Sequence, residues 1–425
     1  MDTSELREVA RKGEGSVLMQ PQHKGGPVFA LAVMLMMLLA LAGCAELSNS
    51  LPENKQSNVS TDEAGVEECP PLELVLVAVG DNLIHYPIYE QAWSAGDGYY
   101  DFKASYAEVQ SVIYSADIAF LNQEIPAAGE EYVISSYPLF NSPTELVQDM
   151  AEFLGIDVVN MSSNHSLDKG LHGLLRTIDA WKEHNVLPIG VWPKEAENGN
   201  IALWKYVAPE GGQELTLAFL AYTYDLNGMD LPDSMMEGWQ IGALYNWPAM
   251  EADVLQAKEL ADLVIMSLHW GYEGWLEPNE QQQELAEQLA QLNVDLILGH
   301  HPHVIQPVAE LERADGRMMP VFYSLGNFIS NQVEAENMLG MLAVVTIYKD
   351  SEGASILAPR AVPLVTHFTP GFTETRTYFL DAYSEAQGYQ HGIRGYDGRF
   401  GKTWVELLFA EVVDEQYHHR LSQGE

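Results

Sequence analysis

The sequence predicts an α/β layered architecture, and three observations predict it. Continuous apolar runs rich in Val, Ile and Leu recur along the chain, as strands buried on both faces require. Segments with helical periodicity and helix-start signals lie between them. The two kinds of segment alternate rather than segregate, which indicates sheets with helices laid on their faces.

Taken in chain order, the first element is an uninterrupted apolar run from Val28 to Ala42, with Lys24 upstream and Leu41-Ala42-Gly43-Cys44 at its end. This is the layout of a secretory signal closing in small residues, and the run is too short to span a bilayer comfortably. Leu-Ala-Gly-Cys resembles the bacterial lipobox. The resemblance implies that Cys44 becomes the lipidated first residue of an extracytoplasmic, membrane-anchored lipoprotein, since two or more acyl chains anchor stably. An uncleaved signal anchor is the alternative, and the acids mixed with bases near the start make Met19 an alternative beginning. With Cys44 lipidated, Cys69 has no partner and no intrachain disulfide forms. Residues 1–44 are thus a signal segment. Residues 45–71, rich in Ser, Asn, Glu and Pro, read as a flexible tether.

A main domain is expected over 72–330. It opens with the run Leu74 to Val79, broken by Gly80-Asp81. Ile118 to Leu121 leads into Asn122-Gln123-Glu124, and Val158-Val159 through Asn160 to Asn164-His165. Leu263 to Met266 leads to His269, and Leu296 to Leu298 to Gly299-His300-His301-Pro302-His303. Further strand-like runs are Leu215 to Ala221, Val321 to Ser324 and Leu342 to Tyr348. A helix start is expected at Ser142-Pro143-Thr144-Glu145, with Ser142 as cap and Glu145 completing a capping box. A second helix, about Glu280 to Leu292, sets Leu285, Leu289 and Leu292 on one face. Residues 331–425 are expected as a small C-terminal extension packed on the main domain, with His418-His419 lacking a metal role.

The charge excludes one class of partner. Against 21 Lys and Arg stand 61 Asp and Glu, a formal net charge of −40, so binding nucleic acid by neutralising phosphates is excluded. Loss of the first 43 residues leaves this unchanged, because their four basic and four acidic residues cancel. At 47% hydrophobic and 10% aromatic residues, disorder over most of the length is excluded too. An anionic substrate must then be held by something locally positive, such as a metal ion.

Metal-type ligands stand where such an ion is needed. In open α/β sheets, sites gather beyond the carboxyl ends of strands. Asp81, Glu124, Asn164, His165, His269, His301 and His303 each follow an apolar run, and strand packing requires none of them. Singly, each has a bland reading as a turn, a cap or a hydrogen-bonded bystander; five strand ends with the same property do not. Imidazole with carboxylate and amide oxygen suits Mn, Fe or Zn better than Mg or Ca. Two ions about 3.5–4 Å apart can share one carboxylate, and Glu124 has the length to bridge. His165, beside a ligand but not one itself, is a candidate to protonate a leaving group. Asp168 is a candidate to orient an imidazole or, equally, to cap the helix from Leu171. Trp270 and Tyr272 either line a pocket or belong to the core, and Gly326-Asn327 serves a tight turn.

Together Val79-Gly80-Asp81, Leu121-Asn122-Gln123-Glu124, Asn141-Ser142-Pro143, Asn160 to Asp168, Ser267 to Gly271, Gly299 to Val304 and Tyr323 to Phe328 resemble the bacterial capsule-synthesis CapA (PGA_cap) family. That family is associated with poly-γ-glutamate and lies in the calcineurin-like metallophosphoesterase superfamily. The resemblance covers about Glu73 to Ser330. It implies a four-layer α/β sandwich with a divalent-metal site at one end of the sheets. It makes Asp81 the first-motif aspartate, Glu124 the bridging carboxylate, Asn164 and His165 the Asn-His pair, and His269 and His303 the later ligand histidines. Where the wider superfamily has Asp-x-His, this chain has Asp81-Asn82-Leu83, leaving His85 as a substitute. In the last motif His300 and His301 compete for one role, and His301 keeps the two-residue spacing to His303. Two functions follow as expectations. One is a lipid-anchored metal-dependent hydrolase of a phosphoester or related bond. The other is a non-hydrolytic factor that binds, exports or anchors an anionic surface polymer, with polymer-synthesis machinery as partner.

Overall fold

A computed structural model of the chain describes residues 70–208, 212–229, 231 and 235–419. The expected signal segment with Cys44, and all but the last two residues of the tether, lie outside the described residues. In chain order the strands are β1 (Leu72–Asn82), β2 (Ile118–Asn122), β3 (Val158–Asn160), β4 (Leu187–Ile189), β5 (Val191–Pro193), β6 (Ala202–Val207), β7 (Glu214–Thr223) and β8 (Trp239–Ile241). They continue with β9 (Leu263–His269), β10 (Leu296–His300), β11 (Val308–Glu312), β12 (Met318–Phe322), β13 (Asn327–Ile329), β14 (Leu339–Asp350), β15 (Gly353–Thr369) and β16 (Thr373–Phe379).

Two sheets stack face to face. The first runs β16-β15-β14-β1-β2-β3-β4, with β13 also on β1; the second runs β11-β12-β10-β9-β7-β6. The apolar runs are continuous because both faces of these strands are covered. From β1, Leu74, Leu76 and Ala78 point between the sheets and meet Leu217, Phe219 and Ile265 of the second sheet. Val77 and Val79 point the other way, onto a helical layer that supplies Ile88, Phe102, Leu174 and Trp181. Phe120 and Phe219 stack across the interior at 6.3 Å. On the outer face of the second sheet, Leu220, Val264 and Met266 pack on Met250 and Val254 of the helix Trp247–Leu260 and on Leu289 of the helix Glu280–Gln291. The result is a helix-sheet-sheet-helix sandwich, the four-layer α/β arrangement expected. Each fully buried aliphatic or aromatic side chain contributes about 1.5–3 kcal/mol.

Every strand-like run named from sequence forms a strand. Residues 331–425, read as an extension packed on the main domain, run three strands into the first sheet: β14 pairs antiparallel with β1 from Leu72 to Ala78, and β15 and β16 follow. The helix Lys402–Val412 adds Val405, Leu408 and Phe409 to the inter-sheet core. β15 carries Pro359 and Pro363, which argue against a strand in sequence. A bulge accommodates Pro359, the register slipping between Val344 and Thr346, opposite Ala358, whose φ is 51°, whereas Pro363 stays in register with Met341.

The helix start at Ser142 is corrected. The helix spans Glu145–Gln148 and continues as a π-helical stretch to Leu154; its N-cap is Thr144, which makes no side-chain cap bond. Ser142 is held in a loop instead, its amide donating to the Pro126 carbonyl and its own carbonyl accepting from Gly129. A capping box does form at Asn279, which accepts from the Gln282 amide while the Gln282 side chain accepts from the Asn279 amide. Among the described residues no helix is long and apolar enough to cross a membrane.

Candidate metal centre

The carboxyl ends of β1, β2, β3, β9 and β10 meet at one edge of the sandwich, and register decides what meets there. Asp81 pairs with Asn122 across β1 and β2, and Asn122 with Asn160 across β2 and β3. Three polar side chains therefore line up and bond in series. The Asn160 amide donates to Asn122 Oδ1 at 2.7 Å, and the Asn122 amide donates to Asp81 Oδ1 at 2.7 Å. One Asp81 oxygen is fixed by this relay and the other faces the centre. On its far side Asp81 is in register with Asn327 of β13. Gly80 permits this: a Cβ there would lie 1.9 Å from the Gly326 carbonyl oxygen.

His303 sits between the two flanks. Its Nδ1 lies 3.1 Å from Asp81 Oδ2 and 3.1 Å from Asn327 Oδ1. Both partners are acceptors, so Nδ1 carries the hydrogen and Nε2 is turned toward Glu124 Oε1, 3.6 Å away. Glu124 is buried, and neither of its carboxylate oxygens has a hydrogen-bond partner. Oε1 also lies 3.7 Å from His269 Nε2, which in turn is 2.9 Å from Asn164 Oδ1. His301 completes the group, its ring centroid 4.9 Å from that of His269 and 4.5 Å from that of Tyr224. Ligand atoms of Glu124, His301 and His303 all lie within 4.8 Å of one another. To reach these positions His301 and His303 take φ of 98° and 60°. Such backbone is uncommon for residues with side chains and clusters at functional sites.

The electrostatics are those of a site short of positive charge. Burial pushes the Glu124 carboxyl well above its usual range, against the pull of His303. Burial pulls His303 down, but the Glu124 and Asp81 carboxylates outweigh it and hold the imidazole up at about 10. Asp81, despite burial, is kept below its usual value by His303 and His300. Burial, with neighbouring imidazoles adding to it, drives His269 well below the ordinary range and His301 to about 3. Besides both Glu124 oxygens, His269 Nδ1 and His301 Nδ1 are buried without a hydrogen-bond partner. A buried polar atom left unpaired costs about 1–3 kcal/mol. The imidazoles of His269 and His301, held neutral beside a Glu124 carboxylate with no protein donor, fit a divalent transition ion.

The remaining named residues have distinct places. His165 is at the mouth, its Nδ1 2.8 Å from Asp168 Oδ2 and its ring edge-on to Phe140 at 5.0 Å. Asp168 also accepts from the Phe140 amide at 2.7 Å, while the helix Gly170–Glu183 is capped by Lys169 without a side-chain bond. His300 stands behind Asp81, its Nδ1 3.7 Å from Oδ1 and its ring stacked on Phe120. His85 is outside the Glu124 group, with Nδ1 3.1 Å from the Leu83 carbonyl oxygen and 3.2 Å from the Asn331 amide nitrogen. Trp270 is buried and donates to the Tyr323 carbonyl, whereas Tyr272 is half exposed. Gly326, at φ 65°, makes the expected turn. His418 is occupied by the Val413 carbonyl.

Sequence reasoning gave no part in the centre to Asn122, Asn160, Asn327 (read only as part of a tight turn) or Tyr224. The first three stood inside quoted motifs, and the signal was available: each is an uncharged polar residue at a strand end beside a ligand-bearing strand.

The family model described as bacterial capsule synthesis protein PGA_cap matches residues 75–332. The chain belongs to this family. Its range spans every residue of the centre, from Asp81 to Asn327. The PGA biosynthesis protein CapA of Bacillus subtilis (strain 168) is 29% identical over 187 residues, covering 42% of this chain and 44% of that one. The capsule biosynthesis protein CapA of Bacillus anthracis is 28% identical over 272 residues, covering 61% and 60%. The chain thus spans about half the length of these relatives. Among solved structures it is similar to a phosphatase of Mycoplasma pneumoniae, with TM-score 0.37 and 13% identity over 69% of this chain and 94% of that one. It is also similar to a 5′-nucleotidase of Candida albicans, with TM-score 0.35 and 13% identity over 65% and 51%.

Proposed function

We propose that this PGA_cap family member is a divalent-metal-dependent hydrolase of a phosphoester or related bond in capsule or cell-surface polymer metabolism. In this reading the chain works outside the cytoplasmic membrane, tethered by lipid on Cys44. The observation that carries the hydrolytic part is the convergence of Glu124, His301 and His303, all buried and the first two with unpartnered ligand atoms, beside an imidazole pinned by a carboxylate.

Asp81, Glu124, Asn164, His269, His301 and His303 would hold the metal. A bound Mn, Fe or Zn ion supplies Lewis-acid polarisation of the substrate's oxygens and the local positive charge that the chain lacks. The chain's own residues do the rest. Asn122 and Asn327 fix the Asp81 and His303 side chains before substrate arrives, so no reorganisation is needed at the moment of reaction. Asp168 accepts the Nδ1 hydrogen of His165, which turns Nε2 outward to deliver a proton to the departing oxygen. Phe140 packs perpendicular to that imidazole and helps fix its orientation.

The test is a hydrolysis screen with the full chain. Generic phosphomonoesters and phosphodiesters are offered after stripping and reloading with Mn²⁺ or Zn²⁺. Turnover is expected on at least one, abolished in Glu124→Ala and His269→Ala; turnover equal in the stripped protein contradicts the reading. One observation favours a second reading: Nδ1 of His85, the substitute for the first-motif histidine, is engaged by the Leu83 carbonyl and the Asn331 amide. A non-hydrolytic factor that binds, exports or anchors an anionic polymer together with synthesis machinery would tolerate that. It predicts polymer retention that survives Glu124→Ala and fails in Cys44→Ala.

A further inference from the structure

A strip of aromatic side chains leads away from the centre. It starts at Tyr224, whose ring packs on His301. Tyr245 lies within electrostatic range of both Tyr224 and Tyr272, and Tyr272 is 5.0 Å from Trp275. Tyr245, Tyr272 and Trp275 are 67%, 50% and 56% exposed. Exposed aromatic residues gathered on one face mark a binding surface, whereas scattered ones mean nothing. Tyr245 also lines a cavity of about 210 Å³ with Trp247, Gln281 and Gln288. That is below the roughly 300–1,000 Å³ of a drug-sized ligand site, so it suits a single ring rather than a polymer strand.

We propose that this strip and cavity hold a neutral saccharide ring, so that the bond presented to the metal centre belongs to a sugar-bearing substrate. The chemistry of the lining selects this class. The axial C–H face of a pyranose is apolar and weakly positive, and it seats on the negative face of an aromatic ring. Its hydroxyls both donate and accept, and the primary amides of Gln281 and Gln288 do the same. An anionic ring is disfavoured: residues 206–257 and 259–312, which build the strip and cavity, contain no Lys or Arg. Glu284 lines the cavity as well, and Tyr224 feels the charges of Asp225 and Glu273. A nucleobase clamp needs near-parallel rings, whereas Tyr272 and Trp275 are inclined at 60°. The proposal rests on the hydrolase reading only for what happens after binding.

The experiment is a fluorescence titration of the full chain, kept metal-free with a chelator, using maltotetraose, cellotetraose and chitotetraose as probes. Trp247 and Trp275 are the reporters. At least one probe is expected to give a saturable change, weakened roughly tenfold or more in a Tyr245→Ala, Tyr272→Ala double variant whose melting curve matches the parent. Gln281→Ala, which leaves the reporters and aromatic rings in place, is expected to weaken the same probe. No saturation with any probe to tens of millimolar, binding undiminished in these variants, or adenosine binding at the same residues in place of sugar overturns the proposal. Because the readout is binding without metal, failure here leaves the hydrolase reading standing, and failure of hydrolysis leaves this one.

Discussion

At the scale of single residues, the centre is a set of charged and imidazole ligands held by uncharged neighbours. Asp168 holds His165, so Asp168→Asn, which keeps an accepting oxygen but loses the negative charge that supports the imidazolium, should lower kcat by about 10²–10⁴-fold. Metal content by elemental analysis should stay that of the parent; loss of metal instead would place Asp168 among the ligand supports. Asn327→Ala should do the reverse, weakening metal affinity about 10–100-fold by removing one of the two acceptors that hold His303 Nδ1, with kcat at saturating metal recovering most of its value. Asp81, Glu124 and the histidines were legible in sequence because a charge or imidazole directly after an apolar run has no packing reason to be there. Asn122, Asn160 and Asn327 were not, because their roles depend on which residue of a neighbouring strand stands in register, and a one-residue slip would turn each to the opposite face. Ser142 misled for a related reason. Its spacing to Glu145 is that of a capping box, but pairing with Pro126 and Gly129 claims its backbone first.

At the scale of elements, the edge of the sandwich depends on close backbone approach. Gly80→Ala would drive a Cβ into the Gly326 carbonyl, so β1 and the loop bearing Asn327 must separate. The expected outcome is a loss of stability beyond the about 1–3 kcal/mol of ordinary overpacking, read by denaturant unfolding, together with weakened metal binding. A second dependence lies in β15 and the segment after it. His391 Nδ1 accepts from the Ile393 amide, so Nε2 bears the hydrogen given to the Thr366 carbonyl, and the ring is neutral by construction. Burial holds His391 at about 3 and His367, with Arg376 adding to the effect, at about 4, against an ordinary 6.5. The unfolded chain therefore binds more protons below pH 6.5. The stabilisation from each ring is complete above pH 6.5 and falls with acid by about 1.4 kcal/mol per pH unit until the folded value is reached. His391→Gln, whose amide can meet both partners, should flatten that slope by up to one proton between pH 6.5 and about 3 in denaturation curves; an unchanged slope contradicts it. The strands carrying ligands were legible from apolar runs, whereas β15 was hidden by its two prolines, of which Pro359 sits at a bulge and Pro363 pairs in register with Met341.

At the scale of the whole molecule, a chain of net charge −40 would, on the proposed function, repel an anionic substrate except where a bound metal offsets the charge. Raising ionic strength from about 0.01 M to 0.15 M shortens the Debye length from about 30 Å to 8 Å. The KM for an anionic ester should therefore fall over that range while kcat changes little; a KM that rises with salt would mean the protein's own surface draws the substrate in. The four-layer arrangement follows from strands apolar on both faces, and it brings five strand ends to one edge, which no single stretch of sequence displays. The central claim is that Glu124, His301 and His303 form a metal site, and the most direct measurement is the number of ions bound per chain. Elemental analysis of the full chain after equilibration with Mn²⁺ or Zn²⁺ and gel filtration should find at least one ion, lost in Glu124→Gln while the melting curve shows the variant still folded. A chain that retains no ion under these conditions, or a Glu124→Gln variant that retains as much as the parent, contradicts the account.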